Sequence, residues 1–422
     1  MFVSRIEGCS ITLEAGSGCR TSRCTWESPS CTVPGYCTLR ALIWNRHLTV
    51  YLDNMAATPV DPRIAEHHAA MMLALPANAH SGEHSHGAEA GAAIDTAADG
   101  IAAFADCNSA DVHFTPGASP ALWAALEDVL ERTTGRPARV LVSAAEHPTL
   151  IAHVRRAERA GRAEVVFIPV DKTGAPEMES LVAAFSGAAD LICTMAANNE
   201  VGTVTDLAPI VAFAREAGSK LLVDASQAAG RVPITDAVMA DYLILSGAKM
   251  YGPRRVGVLI GRLADSTAQL AKAMFGSPDA AGASAMALAC NLRALEMADD
   301  EDRLAAMRDR LQSFLEDNVP GVVVNGDQSA RLAGSLHVSA PGMPGEVVVA
   351  RLWDQVALST GAACQSGAPG PSHVLSAMGL PEWVADAGVR IGIGRFNTED
   401  EVEAAATLIG SAMAPVKARM RA

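Results

Sequence analysis

Two short apolar runs near the middle of the chain, each followed by a charged residue, constrain its fold more than any other feature. Residues 221–223 lead directly into Asp224, and residues 242–245 lead through a small-residue turn to Lys249. Runs of this length and composition are typical of parallel strands that are buried on both faces. Because the carboxyl ends of parallel strands meet at one edge of a sheet, where open α/β folds bind ligands, we expect both charged side chains to lie there.

Asp224 and Lys249 at such an edge suit the chemistry of pyridoxal 5′-phosphate. A lysine can hold this cofactor as a Schiff base, and a carboxylate can keep a proton on the pyridinium nitrogen. The alternative for the same two residues is a plain ion pair at the edge of the sheet. The pair alone does not decide between these interpretations.

Strand and helix patterns alternate from residue 139 onward, which is the pattern of βαβ units. It predicts an α/β fold with a large domain built on a mainly parallel sheet. After a helical stretch near 284–318, the remaining patterns predict a smaller α+β domain. The predicted strands of the large domain are 139–143, 164–169, 190–195, 220–224, 241–246 and 256–260, and the helices between them lie near 148–160, 177–186 and 206–217.

The length of 422 residues exceeds one ordinary domain, so a large and a small domain are expected. We place the large domain at residues 61–300 and the small domain at residues 48–60 together with 301–422. Residues 1–47 contain cysteines without a C-x-x-C spacing and lack the apolar core of a signal peptide. They are expected to be a disordered or non-native extension.

Composition narrows the function classes. The net charge of −14 argues against a nucleic-acid partner, and no run approaches the roughly 20 apolar residues that a membrane span needs. The cysteines beyond residue 47 suit a reducing compartment, which favours a cytoplasmic location. These cysteines are Cys107, Cys193, Cys290 and Cys364.

Polar residues in the turns add candidates for a site. Residues 112–119 form a strand–turn–helix pattern in which Ser119 lies where an anion would dock, although this signal is weak alone. His147 could begin a helix or contact a ligand, and Asn199 could form a turn or do the same. The histidines of residues 78–87 have no carboxylate–histidine pattern beside them, so no metal is expected there; they are His80, His84 and His86.

A series of motifs runs from about Val50 to Met413. They are YLDNMAATPVDP, NAHSGEHSHG, SAAEHPT, AANNEVGT, VDASQAAGRVPI, SGAKMYGPRRVGVL, STGAACQSG, PSHVLSAMGL and VRIGIGRFNTEDEV. In this order they resemble the motifs of the cysteine desulfurases, pyridoxal-phosphate enzymes of the class V aminotransferase superfamily. The resemblance implies a fold-type I pyridoxal-phosphate-dependent transferase.

The resemblance implies a role for each candidate residue. Lys249 would be the Schiff-base lysine, and Asp224 would contact the ring nitrogen. His147 would stack on the ring and help in proton transfer, and Arg390 would clamp the substrate carboxylate. Further cofactor contacts would come from Gln227, Asn199, Ala118, Ser119 and Ser246, with Asn199 also reaching the substrate.

Cys364 lies in a stretch rich in glycine and serine, STGAACQSGAPGPSHVL. The resemblance implies that its thiolate takes sulfur from L-cysteine as a persulfide, leaving L-alanine. It also implies a homodimer and a sulfur-acceptor protein, such as an iron–sulfur scaffold, a thiolation enzyme or a carrier. The alternative for Cys364 is a small buried hydrophobic residue.

Two other functions remain open at this point. A related lyase or aminotransferase would act on another amino acid without using Cys364. An inactive protein of the same fold would serve as a scaffold.

Three departures from the family pattern remove polar groups near the phosphate or the dimer edge. Ala248 stands where the family has a histidine, Pro120 replaces an acidic residue, and residues 276–284 lack the R-x-G-T block. A weaker hold on the phosphate is therefore expected.

Overall fold

The computed structural model describes residues 49–185, 187–361 and 372–414 of the chain, so the predicted extension at 1–47 lies outside the described residues. The strands are β1 (Val50–Tyr51), β2 (Val112–Thr115), β3 (Ala138–Ser143), β4 (Ala163–Ile168), β5 (Leu191–Met195), β6 (Lys220–Asp224), β7 (Tyr242–Ser246), β8 (Gly257–Ile260), β9 (Val323–Asn325), β10 (Ser335–Ser339), β11 (Val356–Ala357) and β12 (Gly388–Gly392). The helices are α1 (Pro62–Ala74), α2 (Ser85–Ala105), α3 (Ala118–Arg132), α4 (Pro148–Arg159), α5 (Met178–Phe185), α6 (Ala208–Ala217), α7 (Asp265–Phe275), α8 (Ala280–Asn318), α9 (Gly345–Arg351), α10 (His373–Ala377), α11 (Glu382–Asp386) and α12 (Glu399–Met413).

The large sheet has seven strands in the order β2-β8-β7-β6-β5-β3-β4. β4, β3, β5, β6 and β7 run parallel to one another, which confirms the predicted mainly parallel sheet. β8 is antiparallel to both β7 and β2. The sequence pattern placed residues 256–260 in the parallel series, and this was wrong because the connection 247–256 is too short for a crossover.

Alternate residues of the central strands pack on opposite faces of this sheet. Leu221 and Val223 belong to one apolar core, while Leu222 between them belongs to another. All three are at most 2% exposed. A continuous apolar run is therefore required in β6, because both faces of the strand are covered.

A smaller antiparallel sheet, β12-β10-β9, and the two-stranded parallel pair β1-β11 form the second part of the fold. α8 runs unbroken for 39 residues past the predicted domain boundary at residue 300. Its residues Met286 and Cys290 pack in the core of the large sheet, whereas Leu304 and Met307 pack in the core of the small one. The boundary thus lies inside a helix and not in a linker.

Among the described residues, no helix is both long and apolar enough to span a bilayer.

A buried carboxylate fastens α3 to the large sheet. Asp128 is 0% exposed and accepts hydrogen bonds from the Tyr242 hydroxyl (2.6 Å), the Ala264 amide (2.7 Å) and Arg132 Nε (2.6 Å). Burial alone would raise the pKa of Asp128, but the hydrogen bonds outweigh burial and leave the pKa below its ordinary value.

We expect Asp128→Asn to lower the free energy of unfolding by roughly 2 kcal/mol at neutral pH, because charge-assisted hydrogen bonds become neutral ones. Since the folded-state pKa is depressed, the stabilisation is fully present above the unfolded pKa and is lost as pH falls through the folded value. Urea unfolding at several pH values should show the difference from wild type shrinking only in strong acid. The exposed Asp302→Asn is the control, and equal losses in the two variants would contradict this role.

Candidate active site

The carboxyl ends of β5, β6 and β7 lie at one edge of the large sheet, as their parallel pairing requires. Asp224 ends β6, is 6% exposed, and accepts a hydrogen bond from the Ser226 amide (2.9 Å). Lys249 lies on a 3₁₀ turn, Gly247–Lys249, that directly follows β7. Asp224 and Lys249 are thus carried to the same edge.

The segment after β1 covers this edge and contacts the lysine. Lys249 Nζ donates to the carbonyl oxygens of Met55 (2.8 Å) and Ala56 (2.5 Å). Gln227 Nε2 also donates to the Met55 carbonyl (2.8 Å). Lys249 and Gln227, both predicted site residues, therefore meet at one backbone oxygen.

Two buried residues that sequence reasoning missed line the same edge. The Arg231 guanidinium donates to the carbonyl oxygens of Asn54 (2.9 Å) and Lys249 (3.0 Å) and to Gln227 Oε1 (3.2 Å). Glu146 is 0% exposed, and burial together with the negative charge of Asp224 raises its pKa well above the ordinary value. Both residues lie inside motifs quoted above, but only the folded contacts reveal their positions.

His147 begins α4 and lies close to both charged groups. Its Nδ1 accepts a hydrogen bond from the Thr149 amide (3.2 Å), so the ring caps the helix. Burial lowers the pKa of His147; the charge of Asp224 raises it, and that of Lys249 lowers it further. The imidazole therefore tends to the neutral form, with its proton on Nε2 because Nδ1 accepts the amide hydrogen bond.

The first turn of α3 forms the predicted anion site. Its N-cap, Gly117, has φ 114° and no side-chain cap, so Ala118 and Ser119 open the helix with uncapped amides. A Cβ on Gly257 would come within 2.7 Å of the Ala118 nitrogen, so only glycine fits there. Gly257 pairs with Ser246, which brings Ser246 close to the N-terminus of α3.

Arg390 lies on β12 and is 1% exposed. Its Nη1 donates to the Asn199 carbonyl (2.8 Å), and its Nη2 donates to Asp53 Oδ1 (3.1 Å) and Ser359 Oγ (2.9 Å). Nε is buried and has no hydrogen-bond partner among the described residues. The guanidinium expected as an open substrate clamp therefore already holds protein acceptors through both Nη atoms.

Glu200 contacts the two residues that flank the segment 362–371. Its Oε2 accepts a hydrogen bond from Ser372 Oγ (2.5 Å), and a Cβ on Gly361 would lie 3.1 Å from the same oxygen. Glu200 is 1% exposed, and burial raises its pKa. Cys364 itself lies outside the described residues.

The histidine motif at residues 78–87 belongs to the start of α2. His84 is the N-cap, and its Nδ1 accepts a hydrogen bond from the Gly87 amide (3.1 Å). Within the described ranges, no group of three or more histidine, cysteine, aspartate or glutamate residues is arranged to hold a metal ion.

We expect Lys249→Ala to raise the pKa of His147 in the apo-protein and Asp224→Asn to lower it, because each removes a charge acting on the imidazole. NMR titration of histidine-labelled protein, with His147 assigned through His147→Gln, measures both changes. His113, half-buried on β2, serves as the internal control and should not respond. An unchanged His147 pKa in both variants would mean that His147 does not lie close to Lys249 and Asp224.

Comparison with known proteins agrees with this geometry. The family model "Aminotransferase class-V" matches residues 50–405. A cysteine desulfurase IscS from Shewanella baltica is 34% identical over 86% of this chain and 92% of its own length. A probable mitochondrial cysteine desulfurase from Dictyostelium discoideum is 31% identical over 84% of this chain and 80% of its own. A solved NifS-like protein is 25% identical, with a TM-score of 0.78 over 86% of this chain and 98% of its own.

The residues present fit pyridoxal 5′-phosphate, on which this family depends. Asn199 Oδ1 and Ser226 Oγ are buried without hydrogen-bond partners among the described residues, so polar atoms remain for a bound molecule. Asp224 and Lys249 supply the acid and the amine, and the uncapped start of α3 suits a phosphate. The chain belongs to the cysteine desulfurases of the class V aminotransferase family, with pyridoxal 5′-phosphate as its cofactor.

Proposed function

We propose that this protein converts L-cysteine to L-alanine and transfers the sulfur to Cys364. The observation that carries the proposal is the position of the described residues on either side of the cysteine segment. Ser359, close before it, is hydrogen-bonded to Arg390 (2.9 Å), and Ser372, directly after it, is hydrogen-bonded to Glu200 (2.5 Å). The described residues on either side of the segment thus lie at the candidate active site, which supports attack of the Cys364 thiol on a substrate bound there.

The reaction balances without an external oxidant or reductant. The Cys364 thiol and L-cysteine give a Cys364 persulfide and L-alanine. The Cys364 thiolate attacks the substrate sulfur, the bond between that sulfur and Cβ breaks, and a proton replaces sulfur on the substrate carbon.

Pyridoxal 5′-phosphate, when bound, supplies an electron sink for the bonds at the substrate Cα. Asp224 would hold a proton on the ring nitrogen, and Gln227 and Asn199 would orient polar atoms of the cofactor or substrate. Lys249 would hold the cofactor covalently and move the Cα proton, and the neutral His147 imidazole would offer its Nε2–H as a donor, because Nδ1 accepts from the Thr149 amide.

Arg390 is the binding group for the substrate carboxylate. Its Nε has no hydrogen-bond partner in the part of the chain that the structure describes and can donate to a carboxylate oxygen, while Nη1 and Nη2 keep the guanidinium oriented on the Asn199 carbonyl and Asp53. Burial of this charge strengthens its interaction with an anion.

Several further features belong to the same proposal. The protein works as a homodimer in the cytoplasm and passes sulfur to an acceptor protein, such as an iron–sulfur cluster scaffold. α1 and α8 expose large apolar side chains, with Leu73 87% and Leu295 74% exposed, as at a subunit interface. Cys107, Cys193 and Cys290 are unpaired thiols, which suits a reducing compartment.

Lys249→Ala should abolish covalent attachment of the cofactor and all turnover of L-cysteine. Borohydride reduction of the wild-type holoprotein should fix the cofactor on the peptide that contains Lys249, as peptide mapping will show. Lys220→Ala, which removes only an exposed ion pair with Asp241, is the control and should keep full attachment. Label on Lys220 or Lys272 would overturn the assignment.

Cys364→Ser should keep the cofactor's absorbance band and bind L-cysteine, but it should not accept sulfur. Mass spectrometry of the wild type after brief exposure to L-cysteine should find one added sulfur atom on the Cys364 peptide. Cys107→Ser, at a half-buried thiol, is the matched control and should keep full turnover. Wild-type turnover by Cys364→Ser, or sulfur only on Cys107, Cys193 or Cys290, would reject the proposal.

A further inference from the structure

We propose that Thr149 binds the phosphate of pyridoxal 5′-phosphate and provides a donor that Ala248 cannot. No motif assigned a role to Thr149. The inference depends on the cofactor and not on the sulfur chemistry of Cys364.

Two helix N-termini meet at this point. Ser119 is the second residue of α3, and Thr149 is the second residue of α4. Their hydroxyl oxygens lie 3.4 Å apart. The two side chains therefore present a pair of hydroxyl groups beside the uncapped amides of α3.

The 3.4 Å separation is long for a hydroxyl–hydroxyl bond. Between them the two hydroxyls satisfy at most one donor, and hydroxyl hydrogens rotate to suit a better acceptor. A phosphate oxygen is such an acceptor, since hydrogen bonds to an ionised group are shorter and stronger than neutral ones.

The backbone around Thr149 is fixed independently of its hydroxyl. Its amide donates to His147 Nδ1 (3.2 Å), which holds residue 149 next to the ring that stacks on the cofactor. One turn later, the His153 side chain interacts with the Ser119 backbone, and burial lowers the pKa of His153. α4 is thus held against the first turn of α3, and the Thr149 side chain is held at the phosphate end of the site.

Ala248 cannot provide the phosphate donor that a histidine at this position would supply. Its carbonyl oxygen accepts from the Thr58 amide (2.9 Å) and the Thr58 hydroxyl (3.2 Å), while its methyl group has nothing to donate. The Thr149 hydroxyl on α4 can replace the phosphate donor that is missing at residue 248.

The test compares pyridoxal 5′-phosphate with pyridoxal, which lacks the phosphate. Thr149→Val keeps the shape of the side chain and removes its hydroxyl, so the apo-protein should bind pyridoxal 5′-phosphate about ten-fold more weakly or worse. Its affinity for pyridoxal should not change. Absorbance and fluorescence titration measures both affinities without any turnover.

Three further variants make the result decisive. Thr149→Ser keeps a hydroxyl and should bind like wild type, and Thr96→Val, on α2, is the matched control for loss of a helical threonine hydroxyl. Adding Ala248→His to Thr149→Val should recover most of the lost affinity. Unchanged affinity for pyridoxal 5′-phosphate in Thr149→Val, or an equal loss for both ligands, would overturn the proposal, since the second result would mean that the residue only positions His147.

Discussion

The site depends on hydrogen bonds between the segment Asp53–Ala56 and residues at the edge of the large sheet. The carbonyl oxygens of Met55 and Ala56 hold Lys249 Nζ, and the Asn54 carbonyl holds Arg231. The same segment reaches the small sheet, because Asp53 accepts a hydrogen bond from Arg390. A stretch of four residues therefore contacts both Lys249 and Arg390, the residues that we propose for the cofactor and the substrate carboxylate, although they follow or belong to different sheets.

Arg390 shows what such a buried site requires. A guanidinium that is 1% exposed would be strongly destabilising without acceptors, and here the Asn199 carbonyl, Asp53 and Ser359 provide them. A substrate carboxylate bound as proposed would meet a charge that is already oriented. Less reorganisation is needed on binding than if the side chain had to leave water.

Much of the site was predictable because several of its residues lie at the ends of strands that the sequence pattern identifies. Asp224 and Ser246 end apolar runs whose pattern fixes the strands, so their position at the sheet edge follows from parallel pairing. Arg231 and Glu200 were not predictable in this way, since their importance comes from contacts with residues far away in the chain. The direction of β8 was also missed, because it depends on the length of a turn. The helix α7 was missed as well; only its Thr267 is buried, so few of its side chains belong to the core.

The length of α8 restricts how the two sheets can move relative to each other. At 39 residues it is a rod roughly 58 Å long, and its two halves are embedded in different cores. A hinge between the two sheets would have to bend or break this rod, which costs packing on both sides. We therefore expect the two sheets to keep their relative position when substrate binds.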